Sequence, residues 1–270
     1  MKNINEIENF TPSKNDIKKD NRKRYFMVVD VETAGGLDQK LTYDVGFAIV
    51  DKKGNIYASR SYLIEEIFND TQLMSTAYYA EKVPKYKKDL ADGKHELVPF
   101  DKMRDEFLKL AYHYRAFTIC AYNLNFDMNA LKNTTNYLYN IKQHNTKTVN
   151  GNWKFLSQEF KNAKMLCIWS LACEVLYSQK SFAKFAYKNG FYTQAGNYKT
   201  SAEVGYAYMT NNPQYQEEHT GLEDVKIEAE ILARCLRQNK KYISGIISQP
   251  YTLVSKLHGK IKPSENIYKK

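Results

Sequence analysis

Runs of apolar residues with strand spacing alternate with runs of helical spacing along most of the chain, and this pattern predicts a fold before any chemistry is considered. Tyr25 to Val31 is short, β-branched and apolar, as expected of a strand buried on both faces. Thr42 to Val50 and Ile56 to Ile64 read as two more strands, parted by Asp51-Lys52-Lys53-Gly54-Asn55, whose Gly-Asn pair signals a hairpin. Helical spacing follows over Ile67 to Ala80 and over Phe100 to Tyr114, where Phe100, Met103, Phe107, Leu110 and Tyr114 recur at three and four residues. A fourth strand is predicted at Phe117 to Ala121, a helix at Asp127 to Leu138, and a fifth strand at Lys164 to Ile168. Helices then follow at Ser170 to Tyr177, Ser181 to Lys188 (stopped by Gly190), Thr200 to Thr210 and Gly221 to Gln238. The order is β-β-β-α-β-α-β-α, which makes an α/β protein with a mixed five-stranded sheet flanked by helices. Residues 133–162, rich in Asn, Lys and Thr, read as an insertion. Residues 1–24 show little apolar periodicity beyond Ile4, Ile7 and Phe10 and read as a flexible leader.

Composition narrows the class. A chain of 270 residues with 43% apolar and 14% aromatic residues can bury enough surface to offset its conformational entropy, so disorder throughout is excluded. No apolar run approaches the roughly 18 residues that span a bilayer, and Met1 to Arg24 holds no signal-peptide core, so a soluble, cytoplasmic protein without a membrane partner is expected. Cys120, Cys167, Cys173 and Cys235 form no Cys-x-x-Cys pair, which excludes a zinc ribbon or a dithiol redox site and leaves reduced core thiols. The net charge of +10 sits at the ends. Residues 1–24 carry seven Lys/Arg against four Asp/Glu, and residues 236–270 carry eight against Glu265 alone, so the body between them is neutral. The expected layout is a basic leader (1–24), a folded body (25–238) and a basic C-terminal extension (239–270). Basic ends on a neutral body suit a polyanionic partner through counterion release, although a solvated tail has the same composition.

Nucleotide-cofactor and P-loop chemistry drop out, because Gly35-Gly36 lacks the spacing of a dinucleotide fingerprint and no Gly-Lys-Ser/Thr follows a strand. Acidic residues are more informative. Asp30 and Glu32 flank Val31 in the most apolar strand and project to one face, where two carboxylates repel unless a cation lies between them or the strand ends and both reach water. Hard oxygen ligands of this kind suit magnesium or manganese. Asp127 follows another apolar strand (Ile119 to Ala121) at a helix start, where capping alone would also explain it. His219 precedes the last long helix and Asp224 lies inside it, and no other histidine of the chain has a comparable set of acidic neighbours in sequence.

Asp30-Val31-Glu32-Thr33, Asn123-x-x-x-Asp127 and His219-x-x-x-x-Asp224, in that order, resemble the DEDDh branch of the DnaQ-like 3′-to-5′ exonucleases, which have a ribonuclease-H-like fold. The likeness covers about residues 25–236, and residues 199–225 are similar to bacteriophage and Gram-positive members in particular. It implies a nuclease that uses two Mg²⁺ or Mn²⁺ ions roughly 3.5–4 Å apart. Asp30, Glu32 and Asp224 would hold one ion, and Asp30 with Asp127 the other, while His219 would serve as the base for the attacking water. It also implies substrate contacts from Thr33, Tyr122, Asn123 and Phe126, with Phe126 or Tyr122 stacking on a base. The implied partners are single-stranded DNA or RNA 3′ ends, DNA favoured, and a DNA polymerase if the enzyme proofreads. Tyr122 stands where many relatives have histidine, and Cys167-Ile168-Trp169-Ser170 replaces a frequent Asp-Thr pair, so the pocket wall is expected to differ. An exoribonuclease, a catalytically silent binding module of the same fold and a ribonuclease-H-type endonuclease are the competing readings.

Overall fold

The computed structural model describes residues 12–36, 39–144, 155–156, 160, 162–242 and 245–262. Six strands form one sheet: β1 (Tyr25–Ala34), β2 (Leu41–Asp51), β3 (Ile56–Ile64), β4 (Glu96–Val98), β5 (Thr118–Ala121) and β6 (Lys164–Cys167). Their order is β4-β3-β2-β1-β5-β6, with β1 to β3 an antiparallel meander and with β4, β5 and β6 each parallel to an inner neighbour. The architecture is α/β with a mixed sheet flanked by helices, as the sequence predicts, but the sheet has six strands and not five. The additional strand, β4, is three residues long with only Val98 fully buried, too short to carry a period.

Ten α-helices are described: α1 (Glu65–Phe68), α2 (Thr71–Met74), α3 (Val83–Ala91), α4 (Phe100–Tyr114), α5 (Leu124–His144), α6 (Ile168–Val175), α7 (Lys180–Asn189), α8 (Ala202–Thr210), α9 (Gly221–Arg237) and α10 (Tyr251–His258). The single helix expected over Ile67 to Ala80 is instead two short ones. Asp70 interrupts it, its carboxylate accepting the Gln72 and Leu73 N–H groups and so capping α2. Residues 133–144, expected to open an insertion, continue α5, and Phe155 and Phe160 of the same segment are buried in the core. The rest of that segment lies outside the described residues.

Strand alternation sorts β1 into two layers. Met27, Val29 and Val31 pack with Phe47, Phe100, Met103 and Phe107 on one face of the sheet. Phe26 and Val28 pack with Leu171, Val225, Ile231 and Leu232 on the other. Asp30 and Glu32 continue the second row, so they project from β1 toward α9. Helix α9 comes close because Gly46 on β2 and Gly221 at its own first position meet backbone to backbone; a Cβ on either would collide with the main chain of the other.

Residues 12–24 and 245–262 of the two terminal segments pack against the body. Residues 12–24 of the expected leader dock on the sheet: Arg60 holds the Asp16 carboxylate through two 2.8 Å bonds, and the Ile17 N–H donates to Tyr57 O at 2.7 Å. Ile4, Ile7 and Phe10 lie outside the described residues. In the C-terminal extension, α10 buries Val254 against the layer that holds α9, and Ile261 is buried after it, whereas Lys256, Lys260 and Lys262 are exposed. Lys269 and Lys270 lie outside the described residues. Among the described residues no helix is long and apolar enough to cross a membrane.

Candidate active site

Three elements converge where β1 leaves the core. Strand β1 supplies Asp30 and Glu32, the first turn of α5 supplies Asp127, and α9 supplies Asp224, with His219 two residues before that helix begins. All five line one cleft of about 700 Å³. Thr33, Asn123 and Phe126 line it as well, with the Lys40 ammonium 4.3 Å above the Phe126 ring. Tyr122 also reaches the cleft wall, but its ring is buried and its hydroxyl is fixed in the core by Thr200 O at 2.6 Å and by the Tyr177 hydroxyl at 2.5 Å. It therefore shapes the wall, and its ring is not free to stack on a base, whereas Phe126 is part-buried and lines the cleft.

Backbone hydrogen bonds fix the acidic side chains relative to one another. The Val31 N–H, between the two β1 acids, donates to Asp127 Oδ1 at 3.3 Å and so ties α5 to the strand. The Gly221 N–H donates to Asp44 Oδ2 at 3.0 Å, and the Tyr86 hydroxyl donates to the same oxygen at 2.8 Å, so a buried carboxylate from β2 holds the first turn of α9. Between those anchors, Glu32, His219 and Asp224 each bring one ligand atom within 4.8 Å of the others.

Two further acids enter that the sequence reading does not select. Glu228 lies one helical turn beyond Asp224 on α9, lines the cleft and is buried. Its i,i+4 spacing from Asp224 is a usable signal, because those positions share a helix face. Glu217 also lines the cleft, with Oε2 3.9 Å from His219 Nδ1, but it sits in an irregular segment whose sequence carries no such signal.

The electrostatics are those of a carboxylate cluster held out of water. Burial pushes Asp127 up to about 7. Burial and the neighbouring Glu217 and Asp44 charges push Asp224 up to about 8, and burial with Asp44 and Asp224 pushes Glu32 up to about 9. Asp30, part-buried, and Glu228, buried, are raised well above the usual carboxylate range by burial and by the other acids. His219 shifts the opposite way, its imidazolium disfavoured by burial and by the Lys82 charge. Asp30 Oδ2, Asp224 Oδ1 and Glu228 Oε2 are buried without a hydrogen-bond partner. Buried carboxylate oxygens of this kind are costly unless protonated or bound to a cation, so this donor set fits a hard divalent ion. No protein-family model, curated protein or solved structure matches the chain.

Proposed function

We propose that this chain is a divalent-metal-dependent 3′-to-5′ exonuclease of the DEDDh type with a ribonuclease-H-like fold, hydrolysing single-stranded nucleic acid, DNA by preference, to nucleoside 5′-monophosphates. The observation that carries the reading is the convergence of Asp30, Glu32, Asp127, Asp224 and His219 from three separate elements into one cleft, with buried carboxylate oxygens left unpartnered. An antiparallel three-stranded meander followed by parallel strands on the β1 side supports the fold assignment.

Four carboxylates around one spot would repel a phosphodiester, so the cleft can take that substrate only with positive charge between them. Asp30, Glu32, Asp127 and Asp224 would hold a Mg²⁺ or Mn²⁺ ion, which would supply that charge and Lewis-acid stabilisation of the phosphorus oxygens. The remaining work falls to the protein. His219, whose imidazolium is disfavoured by burial and by the Lys82 charge, accepts a proton from the water that attacks phosphorus. Thr33 at the end of β1 and Asn123 before α5 present polar groups to the terminal sugar, and Phe126 offers a stacking face that tolerates any base.

The deciding experiment digests matched single-stranded DNA and RNA oligonucleotides labelled at either end, with EDTA, Mg²⁺ or Mn²⁺. The expected result is mononucleotide released at once from the 3′-labelled strand and a ladder from the 5′-labelled one, DNA cut faster than RNA, and no reaction in EDTA. Internal cuts, or activity that survives exhaustive chelation, would overturn the reading.

A further inference from the structure

Resting on the reading of His219 as the base, we infer that Tyr79 is its positioning residue, a ring clamped between Lys82 and His219 that keeps the imidazole turned toward Glu32 and Asp224. The Tyr79 and His219 rings stack with centroids 4.6 Å apart and planes 16° from parallel. On the tyrosine, the Lys82 ammonium stands 4.3 Å from the ring centroid, a cation–π contact. The same ammonium donates to the carbonyl oxygen of Glu218 at 2.7 Å, the peptide immediately before His219. Lys85 adds a 3.6 Å ion pair to the Glu218 carboxylate. One short stretch, from the turn ahead of α3 into its first residues, therefore grips both the ring of the histidine and the backbone that carries it.

The histidine needs such support. Residues 215–220 form neither helix nor strand, and His219 sits in the left-handed region with φ of 49°, a conformation that few residues other than glycine adopt without support from their surroundings. Glu217, at 3.9 Å from Nδ1, is beyond hydrogen-bond distance, so it does not fix the ring as the carboxylate partner of a catalytic histidine usually does. A face-to-face stack fixes the plane of the imidazole and leaves both ring nitrogens free for proton transfer. Tyr79 is half-buried while Tyr78 beside it is 84% exposed, so the inner of two consecutive tyrosines takes the clamp.

A positioning role predicts a loss of turnover that passes through His219. In Tyr79→Leu, kcat on a single-stranded DNA oligonucleotide with Mn²⁺ should fall about 10- to 100-fold, as expected when a reacting group is misplaced by an ångström or so. KM should change by less than about twofold. Tyr79→Phe keeps the ring and should retain most of kcat, and Lys82→Met should fall between the two. In a His219→Ala background, Tyr79→Leu should cost nothing further, because there is no ring left to hold. A second readout needs neither metal nor turnover: at fixed pH, the His219 ring protons of the full-length metal-free chain, assigned with His219→Ala, should move downfield in Tyr79→Leu when the ring current of the stacked phenol is lost. An additive loss in the His219→Ala background, or His219 resonances that Tyr79→Leu leaves in place, overturns the clamp. A wild-type protein without nuclease activity overturns the functional reading instead, and the resonance shift then decides the clamp alone.

Discussion

Asp30, Glu32, Asp127, Asp224 and Glu228 are the costliest residues of the fold. Each has a folded-state pKa above its ordinary value, so the folded chain holds protons that the unfolded chain has released, and the sign of the pH dependence follows. Below about pH 4 both states are protonated and the cluster costs little. Between there and the folded values of about 7 for Asp127 and about 8 for Asp224, stability of the metal-free protein must fall as pH rises. Thermal melts in EDTA at pH 5 and pH 8 should show the lower Tm at pH 8, and Mg²⁺ should raise Tm more at pH 8 than at pH 5. Equal shifts at both pH values would mean that the ion binds elsewhere. Asp224→Asn should abolish nuclease activity and raise the metal-free Tm at pH 8, since it removes a repelling charge from the cluster. A fall in Tm would assign Asp224 to the framework. The β1 acids were legible in sequence because carboxylates break an otherwise apolar strand pattern. Glu217 was not, because its place beside His219 depends on the path of an irregular segment.

The elements show where a one-dimensional pattern stops being informative. Strands β1 to β3 and helices α4 and α9 repeat their periods over enough residues to be read directly, and the sequence places them to within a few residues. Strand β4 and helix α3 escape, the first through brevity and the second because its sequence, Val-Pro-Lys-Tyr-Lys-Lys-Asp-Leu-Ala, is mostly polar and buries only Tyr86 and Asp89. Helix α3 matters to the site, since its Tyr86 and Gly221 of α9 meet on the Asp44 carboxylate. The crossing of α9 over β2 was equally hidden: Gly46 reads as a weak point in a strand, and its value emerges only with Gly221 against it. Gly46→Ala should therefore force α9 away from β1, lower Tm by several degrees and cut kcat by about 10²-fold, through displacement of Asp224 and His219 together. Asp224 remains chemically intact in that variant, so retained kcat with a lowered Tm would show that the approach of helix and strand serves stability alone.

At the scale of the whole molecule, the acidic cleft and the basic segments come from different parts of the sequence. The cleft is lined by carboxylates, while the excess of positive charge lies toward the ends of the chain. On the exonuclease reading proposed above, an anionic strand is held by basic residues outside the cleft, with only its terminal phosphodiester brought against the acids. The sequence shows the asymmetry and leaves a solvated tail open, and the structure shows part of the C-terminal extension packed. Helix α10 is seated by Val254, and Ile261 is buried beyond it, with its N–H donating to Gly196 O at 2.9 Å. Deleting residues 256–270 would therefore remove packing along with charge. Lys256, Lys260 and Lys262 are exposed, so replacing all three by Gln removes charge and leaves Val254 and Ile261 seated. If these lysines lie along the path of the strand, the triple variant should keep kcat and Tm, raise KM on single-stranded oligonucleotides at low salt, and flatten log KM against log salt by up to about two in slope, roughly 0.7 for each phosphate of a single strand that is no longer neutralised. KM and kcat measured at two or more salt concentrations give the answer. An unchanged slope would place the strand on another face of the protein and leave the basic helix without a part in binding.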